Sequence, residues 1–246
     1  MKKLFGFGMM AASLILFAIS FFLFGKFLLF GPFPIFRLDW SDGPLLFWNS
    51  FLSALFFLQH SIMVRPWFRN KHLAFIPRPY QLAFYSIVAS FTLFLVFFCW
   101  QPTSTILLQI QNPFRAFSYV MIATSIAVFI WSGYALKTFD PCGMTPIRMH
   151  LEEKIPQHSG FIVDGPYLWI RHPIYTFTII FIWSSPDITS DRLLFNTLWS
   201  LWIIAGSYFE EKNMILEFKE EYRHYQKAVP MLIPWKGASG KKLRKK

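Results

Sequence analysis

Residues 80–100 read YQLAFYSIVASFTLFLVFFCW, 21 positions without one charged side chain. At 1.5 Å per residue, a helix of that length covers about 30 Å, the thickness of a bilayer's hydrocarbon core. The run is apolar on every side, as expected of a helix surrounded by lipid or by other apolar helices. Working outward, Leu4–Phe24, Pro44–Val64 and Ala116–Leu136 repeat the pattern. The last apolar region differs. Ile174–Ser184 is short, Ser185-Pro186-Asp187 makes a turn, and Leu193–Phe209 returns, which predicts a helical hairpin with a tilted or partly interfacial first arm. The expected fold is therefore all-α: a polytopic membrane helical bundle with about six membrane segments and a C-terminal cytoplasmic amphipathic helix.

Composition agrees. Of the 246 residues 54% are hydrophobic and only 15% charged, with 31 Phe, where soluble domains carry about 25% charged residues. We expect a single membrane domain over 1–246. Residues 1–137 hold four spans, 138–234 a loop, the hairpin and the C-terminal helix, and 235–246 a basic tail. Lys2-Lys3 before the first apolar run imitates a signal peptide. The run exceeds the 7–15 residues of a signal core and no small-x-small cleavage site follows, so it is read as a retained span.

Loop charge orients the bundle. The 65–79 loop holds Arg65, Arg69, Lys71 and Arg78, and the 137–171 loop holds Lys137, Arg148, Lys154 and Arg171. Gln101–Arg115 holds only Arg115, and Ser185–Arg192 pairs Arg192 with Asp187 and Asp191. Both termini are thus expected in the cytoplasm. The net charge of +11 culminates in Gly240-Lys241-Lys242-Leu243-Arg244-Lys245-Lys246. That run is read as a solvated end drawn to anionic lipid headgroups, and no nucleic-acid partner is expected. Cys99 and Cys142 fall on opposite sides of this topology, which predicts no disulfide, and no metal-ligand cluster is visible.

Polar residues at membrane depth need a reason, and three places have them. In Gly165-Pro166-Tyr167-Leu168-Trp169-Ile170-Arg171-His172-Pro173-Ile174-Tyr175, Pro173 suits the first turn of a helix. Arg171 and His172 then stand at a helix entrance beside unpaired N–H groups, a place to hold the carboxylate of an amino-acid-like ligand. The competing reading is an interfacial belt of aromatics with a snorkelling Arg. Glu210-Glu211 follows the last apolar run and could bind ribose hydroxyls, balance a cation, or mark a solvated helix start. Ile215, Phe218, Tyr222 and Tyr225 beyond it share one helical face, which suits a lid or an interfacial anchor and ends before Pro230. Finally, Gln59-His60-Ser61 lies in the second span, with Arg65-Pro66 behind it. His60 and Arg65 are five apart and do not share a helix face.

These residues carry a resemblance. Gly165-Pro166-Tyr167…Arg171-His172-Pro173-Ile174-Tyr175, with Glu210-Glu211…Phe218…Tyr222…Tyr225…Val229-Pro230, resembles the signature of the isoprenylcysteine carboxyl methyltransferase and phospholipid methyltransferase superfamily. Leu58-Gln59-His60-Ser61, Arg65-Pro66, Pro79-Tyr80, Trp100-Gln101-Pro102, Phe139-Asp140 and Trp183…Pro186…Asp191-Arg192 are similar to its nurim-like branch, which includes bacterial methanethiol S-methyltransferases. The ending Val229–Pro234 looks most like those enzymes. The resemblance implies S-adenosyl-L-methionine as cofactor, with Gly165, Tyr167, Arg171, His172, Pro173, Tyr175, Glu210 and Glu211 around it. It places Gln59, His60 and Arg65 on the substrate side. His60, Arg171 and His172 become the candidates for catalysis, a cation favouring a thiolate and an imidazole taking its proton. The expected acceptor is a small thiol, methanethiol giving dimethyl sulfide. A lipid or prenylated-cysteine acceptor and a nurim-like structural role are the alternatives, and a bacterial inner membrane the expected location. Two glycines common in the superfamily are missing: Thr176 and Phe177 follow Tyr175, and Lys219 follows Phe218.

Overall fold

The computed structural model describes residues 2–136, 139–154, 161 and 163–240. Among the described residues the regular structure is helical apart from one two-stranded ribbon. In chain order the elements are α1 (Lys2–Phe30), α2 (Asp42–Met63), α3 (Pro66–His72), a 3-10 turn (Arg78–Tyr80) and α4 (Gln81–Cys99). Next come β1 (Ile106–Gln109), α5 (Phe114–Leu136), α6 (Met144–Leu151) and a second 3-10 turn (Gly165–Leu168). The chain ends in α7 (Pro173–Trp183), β2 (Asp187–Thr189) and α8 (Ser190–Ala228). Among the described residues four helices are long and apolar enough to cross a membrane: Lys2–Phe30, Asp42–Met63, Arg78–Cys99 and Phe114–Leu136. The chain is an integral membrane protein.

The hairpin differs from expectation in two respects. α7 has 11 residues, about 16 Å of helix, which is half a perpendicular crossing. α8 has 39 residues and passes through Glu210 and Glu211 without a break. These carboxylates therefore sit in mid-helix rather than at a solvated helix start. The interruption comes later, at Lys219, with φ 47 and ψ −122, a backbone conformation natural to glycine. It falls on the position where the superfamily often carries Gly. The ribbon β1–β2 was not anticipated.

The described residues form two compact units. The first contains 2–106, 140–154 and 189–195 among the described residues. Here α1 and α2 pack on α4, and α6 packs on α1. Gly143, at φ +64, lets α6 approach α4, because a Cβ there would lie 2.5 Å from the Ala83 nitrogen. Met144 and Thr145 N–H groups donate to the Asp140 carboxylate, which caps α6. An aromatic cluster fills one end, with Phe27 5.7 Å from Trp100 and 4.9 Å from Phe195 by ring centroids. Beside it Asp191, 1% exposed, accepts from Trp100 Nε1 (3.0 Å), Thr103 N (3.1 Å), Thr103 Oγ1 (2.8 Å) and Thr189 Oγ1 (2.7 Å). Arg192 Nη2 donates to the carbonyls of Phe27 and Leu28 and so closes the end of α1. The Asn49 side-chain amide donates to the Gln101 carbonyl at 2.7 Å and accepts from Gln101 N at 2.9 Å. The Trp100-Gln101 and Asp191-Arg192 pairs thus sit in buried polar contacts drawn from several elements, with Arg192 Nη1 left without a hydrogen-bond partner among the described residues.

The second unit contains 107–136, 139, 161, 163–188 and 196–240 among the described residues. α5 packs along α7 and the second 3-10 turn. Arg115 pairs with Asp187 through two bonds of 3.0 and 2.7 Å, and Ile110 N donates to the Pro186 carbonyl. Trp183 Nε1 donates to Ser200 Oγ, tying α7 to α8. Most of the basic run, residues 241–246, lies outside the described residues.

Candidate active site

The site belongs to the second unit and grows from three segments. The first is the turn before α7. Asp164 accepts from Gly165 N at 2.7 Å, and Gly165 adopts φ +54 against α5. A Cβ there would lie 2.9 Å from Ala135 Cβ and 3.2 Å from Trp131 Nε1. Pro173 opens α7 as expected, with His172 as its cap residue. The second segment is the middle of α8, and the third is the stretch beyond Lys219, ending in Pro230 and Met231.

Arg171 joins all three. Its Nε and Nη2 donate to Glu211 Oε1 and Oε2 at 2.5 and 3.0 Å, and its Nη1 to the carbonyls of Gln226 (3.1 Å) and Val229. The backbone follows suit, since Arg171 N donates to the Pro230 carbonyl (2.9 Å) and His172 N to that of Met231 (3.1 Å). The N–H groups of Arg171 and His172 themselves are therefore engaged within the protein. The Arg171 guanidinium is likewise turned to protein acceptors at Nε, Nη1 and Nη2, and the physical reason is Glu211: a carboxylate buried there requires a cation.

Glu211 is the most heavily bonded group in the site. Besides Arg171 it contacts His172 Nε2 (3.1 Å), and it accepts from Tyr222 Oη (3.3 Å) and Gln226 Nε2 (2.7 Å). Burial pushes its carboxyl up, but the bonds from His172 and Arg171 and the Arg171 charge outweigh that and hold it down to about 2. Glu210 is different, with its side chain 41% exposed. It accepts from Tyr175 Oη at 2.5 Å, and the Tyr175 ring stacks on His172 with 8° between planes. Burial, with neighbouring acidic or phenolic charge, raises Tyr167, Tyr222 and Tyr225 above the usual phenol range, so all three keep their protons.

These groups surround a cavity of about 170 Å³ walled by Phe161, Tyr167, His172, Tyr175, Glu210 and Met214, among others. Phe161 packs against Phe218, Tyr222 and Tyr225 at 5.2, 5.5 and 5.1 Å between ring centroids. The face formed by Ile215, Phe218, Tyr222 and Tyr225 thus covers this core of its own unit. Of the residues expected around the cofactor, Tyr167, Arg171, His172, Tyr175 and Glu210 line the cavity. Gly165, Pro173 and Glu211 stand behind that lining. Sequence reasoning gave no site role to Gln226 or Phe161. Gln226 had a signal, since Tyr222, Tyr225, Gln226 and Val229 follow a helical i, i+3, i+4, i+7 spacing.

The residues expected on the substrate side belong to the first unit. Gln59 Oε1 accepts from Thr92 Oγ1 at 2.8 Å, a link from α2 to α4. His60 packs between Phe56 and Tyr85, each 5.5 Å away by ring centroid. Arg65 is the cap residue of α3, ahead of Pro66.

Comparison with known proteins gives a consistent set of relatives. Methanethiol S-methyltransferase 1 of Bradyrhizobium diazoefficiens is 32% identical over 199 residues, 80% of this chain and 70% of the relative. Methanethiol S-methyltransferase of Pseudomonas deceptionensis is 30% identical over 208 residues, 79% of this chain and 77% of the relative. That of Crocosphaera subtropica is 29% identical over 187 residues, 76% and 73%. No family profile and no solved structure matches the chain.

Proposed function

We propose, for a chain that belongs to the family of methanethiol S-methyltransferases, that it methylates a small thiol with S-adenosylmethionine as donor, methanethiol giving dimethyl sulfide. The observation that carries this reading is the exposed Glu210 carboxylate, held by Tyr175 on the wall of a ring-lined cavity. An acidic group among aromatic faces fits a ligand that combines a cation with a flat ring. At about 170 Å³ the cavity lies below the range that encloses a drug-sized molecule, so seating the whole cofactor requires the lining to part.

Bound S-adenosylmethionine supplies a methyl group on a positively charged sulfur. The chain's residues bind and orient. Tyr167, Tyr175 and Glu210 contact the cofactor, with Arg171 and His172 at the same wall. Glu211 holds Arg171 and His172 in place, and Gly165 and Pro173 set the course of the turn that carries them. His60 takes the proton of the thiol, Gln59 and Arg65 are assigned to the substrate side, and His172 is the second imidazole assigned to catalysis.

Residues 1–246 are read as one membrane domain. α7 and Leu193–Phe209 of α8 add a membrane hairpin to the four long spans, six segments in all, and the rest of α8 is read as its cytoplasmic continuation. The basic loops support cytoplasmic termini, and the relatives' organisms support a bacterial inner membrane. Calorimetry on detergent-purified protein tests the cofactor. Wild type is expected to bind S-adenosylmethionine saturably, and Glu210→Gln and Tyr175→Phe at least about tenfold more weakly with unchanged thermal stability. Folded wild type that binds none overturns the reading.

A further inference from the structure

Within the first unit, α1, α2 and α4 line a second, partly open cavity of about 290 Å³. Aromatic walls come from Phe17, Phe24 and Phe56, and His60 and Tyr85 face each other across 5.5 Å with rings 68° apart. No Lys, Arg, Asp or Glu is among its described lining residues. A charged ligand would lose its hydration there without a counter-charge, which costs several kcal/mol. This disfavours the carboxylate of a prenylated cysteine and the phosphate or ammonium of a phospholipid headgroup.

Two of the lining hydroxyls, beside Tyr85, Ser86 and His60, narrow the class further. Ser20 Oγ donates to the Leu16 carbonyl (2.8 Å) and Ser90 Oγ to that of Ser86 (2.9 Å), so their hydroxyl hydrogens are engaged within their own helices. What these hydroxyls offer the cavity is oxygen lone pairs. A fitting ligand brings a weak donor on an apolar body, and sulfur makes favourable contacts with ring faces. The volume is about ten times a water molecule's share of liquid, well beyond a one-carbon thiol.

We propose that this cavity binds the methyl acceptor as a neutral thiol and sets the upper size of acceptor taken, admitting alkyl and aryl thiols larger than methanethiol. The proposal rests on the thiol-methyltransferase reading above. It is tested by fluorine NMR titration of the full chain with 4-fluorophenylmethanethiol, with calorimetry of S-adenosylhomocysteine in parallel. Ala89 and Ser90 line the cavity, so Ala89→Phe and, as a second variant, Ser90→Leu fill it. Both are expected to weaken thiol binding at least tenfold and leave S-adenosylhomocysteine binding within twofold of wild type. Unchanged thiol affinity in both variants overturns the cavity assignment. Equal displacement of the thiol by 4-fluorophenylacetate overturns the neutral class. Thiol binding lost in the variants, in a protein whose wild type binds no S-adenosylhomocysteine, sinks the methyltransferase reading and leaves the cavity standing.

Discussion

Arg171 and Glu211 stand 40 positions apart and meet through two hydrogen bonds of 2.5 and 3.0 Å, with side chains 9% and 10% exposed. The pair fastens the turn before α7 to the middle of α8. Through Nη1, the same guanidinium holds the last turn of α8 by its carbonyls.

Removing one partner strands the other's charge in a buried place, a loss of about 3–5 kcal/mol in comparable pairs. Arg171→Ala and Glu211→Ala are therefore expected to lower thermal stability in detergent before any question of ligand binding arises. Arg171→Lys keeps the charge but loses the two-pronged geometry and the carbonyl bonds, and is expected to fall between wild type and Arg171→Ala. Equal melting of all three variants with wild type would contradict the fastening role.

Acid should act through the same carboxylate. Glu211 titrates near 4.5 when the chain is unfolded and at about 2 when folded, so between those values the unfolded chain binds more protons. The stabilisation is complete above pH 4.5 and is lost as pH falls toward 2, about 3 kcal/mol in all. Glu211→Gln is expected to flatten this acid limb of the melting-temperature profile. A limb as steep as that of wild type would place its origin elsewhere.

Lys219 holds a positive φ on an exposed stretch of α8. Glycine adopts that conformation without a Cβ penalty, and the cost for other residues is about 1–3 kcal/mol. Lys219→Gly is expected to raise stability by roughly 1 kcal/mol, and Lys219→Ala to do little, since alanine keeps the Cβ. A stabilising Lys219→Ala with a neutral Lys219→Gly would show a regular helix through this point.

Asp191 accepts four hydrogen bonds from Trp100, Thr103 and Thr189. Asparagine presents an NH2 where one of those acceptor oxygens stood, leaving buried donors unpaired at about 1–3 kcal/mol each. Asp191→Asn is expected to destabilise the first unit while cofactor affinity in the folded fraction stays as in wild type. Loss of affinity at unchanged stability would move Asp191 from scaffold to site.

What could be read from the sequence and what could not divides along a physical line. Whether a helix crosses a membrane depends on its own hydropathy and length, so the four long spans were legible from runs such as residues 80–100. The motifs of Arg171-His172-Pro173 and Glu210-Glu211 were legible too, as was the helical face of Tyr222 and Tyr225. A side chain's partner depends instead on how distant segments pack. Nothing local to Arg171 announced that Glu211 and two carbonyls would be its partners, or that Glu210 rather than Glu211 would line the cavity. Nor did Trp100 and Asp191, 91 positions apart, announce a shared hydrogen bond. The continuity of α8 through Glu210 and Glu211, and its interruption at Lys219, were decided in the same way: the helix turns where Tyr222, Tyr225 and Gln226 can reach Phe161 and Glu211, at a residue whose own preference would carry it straight on.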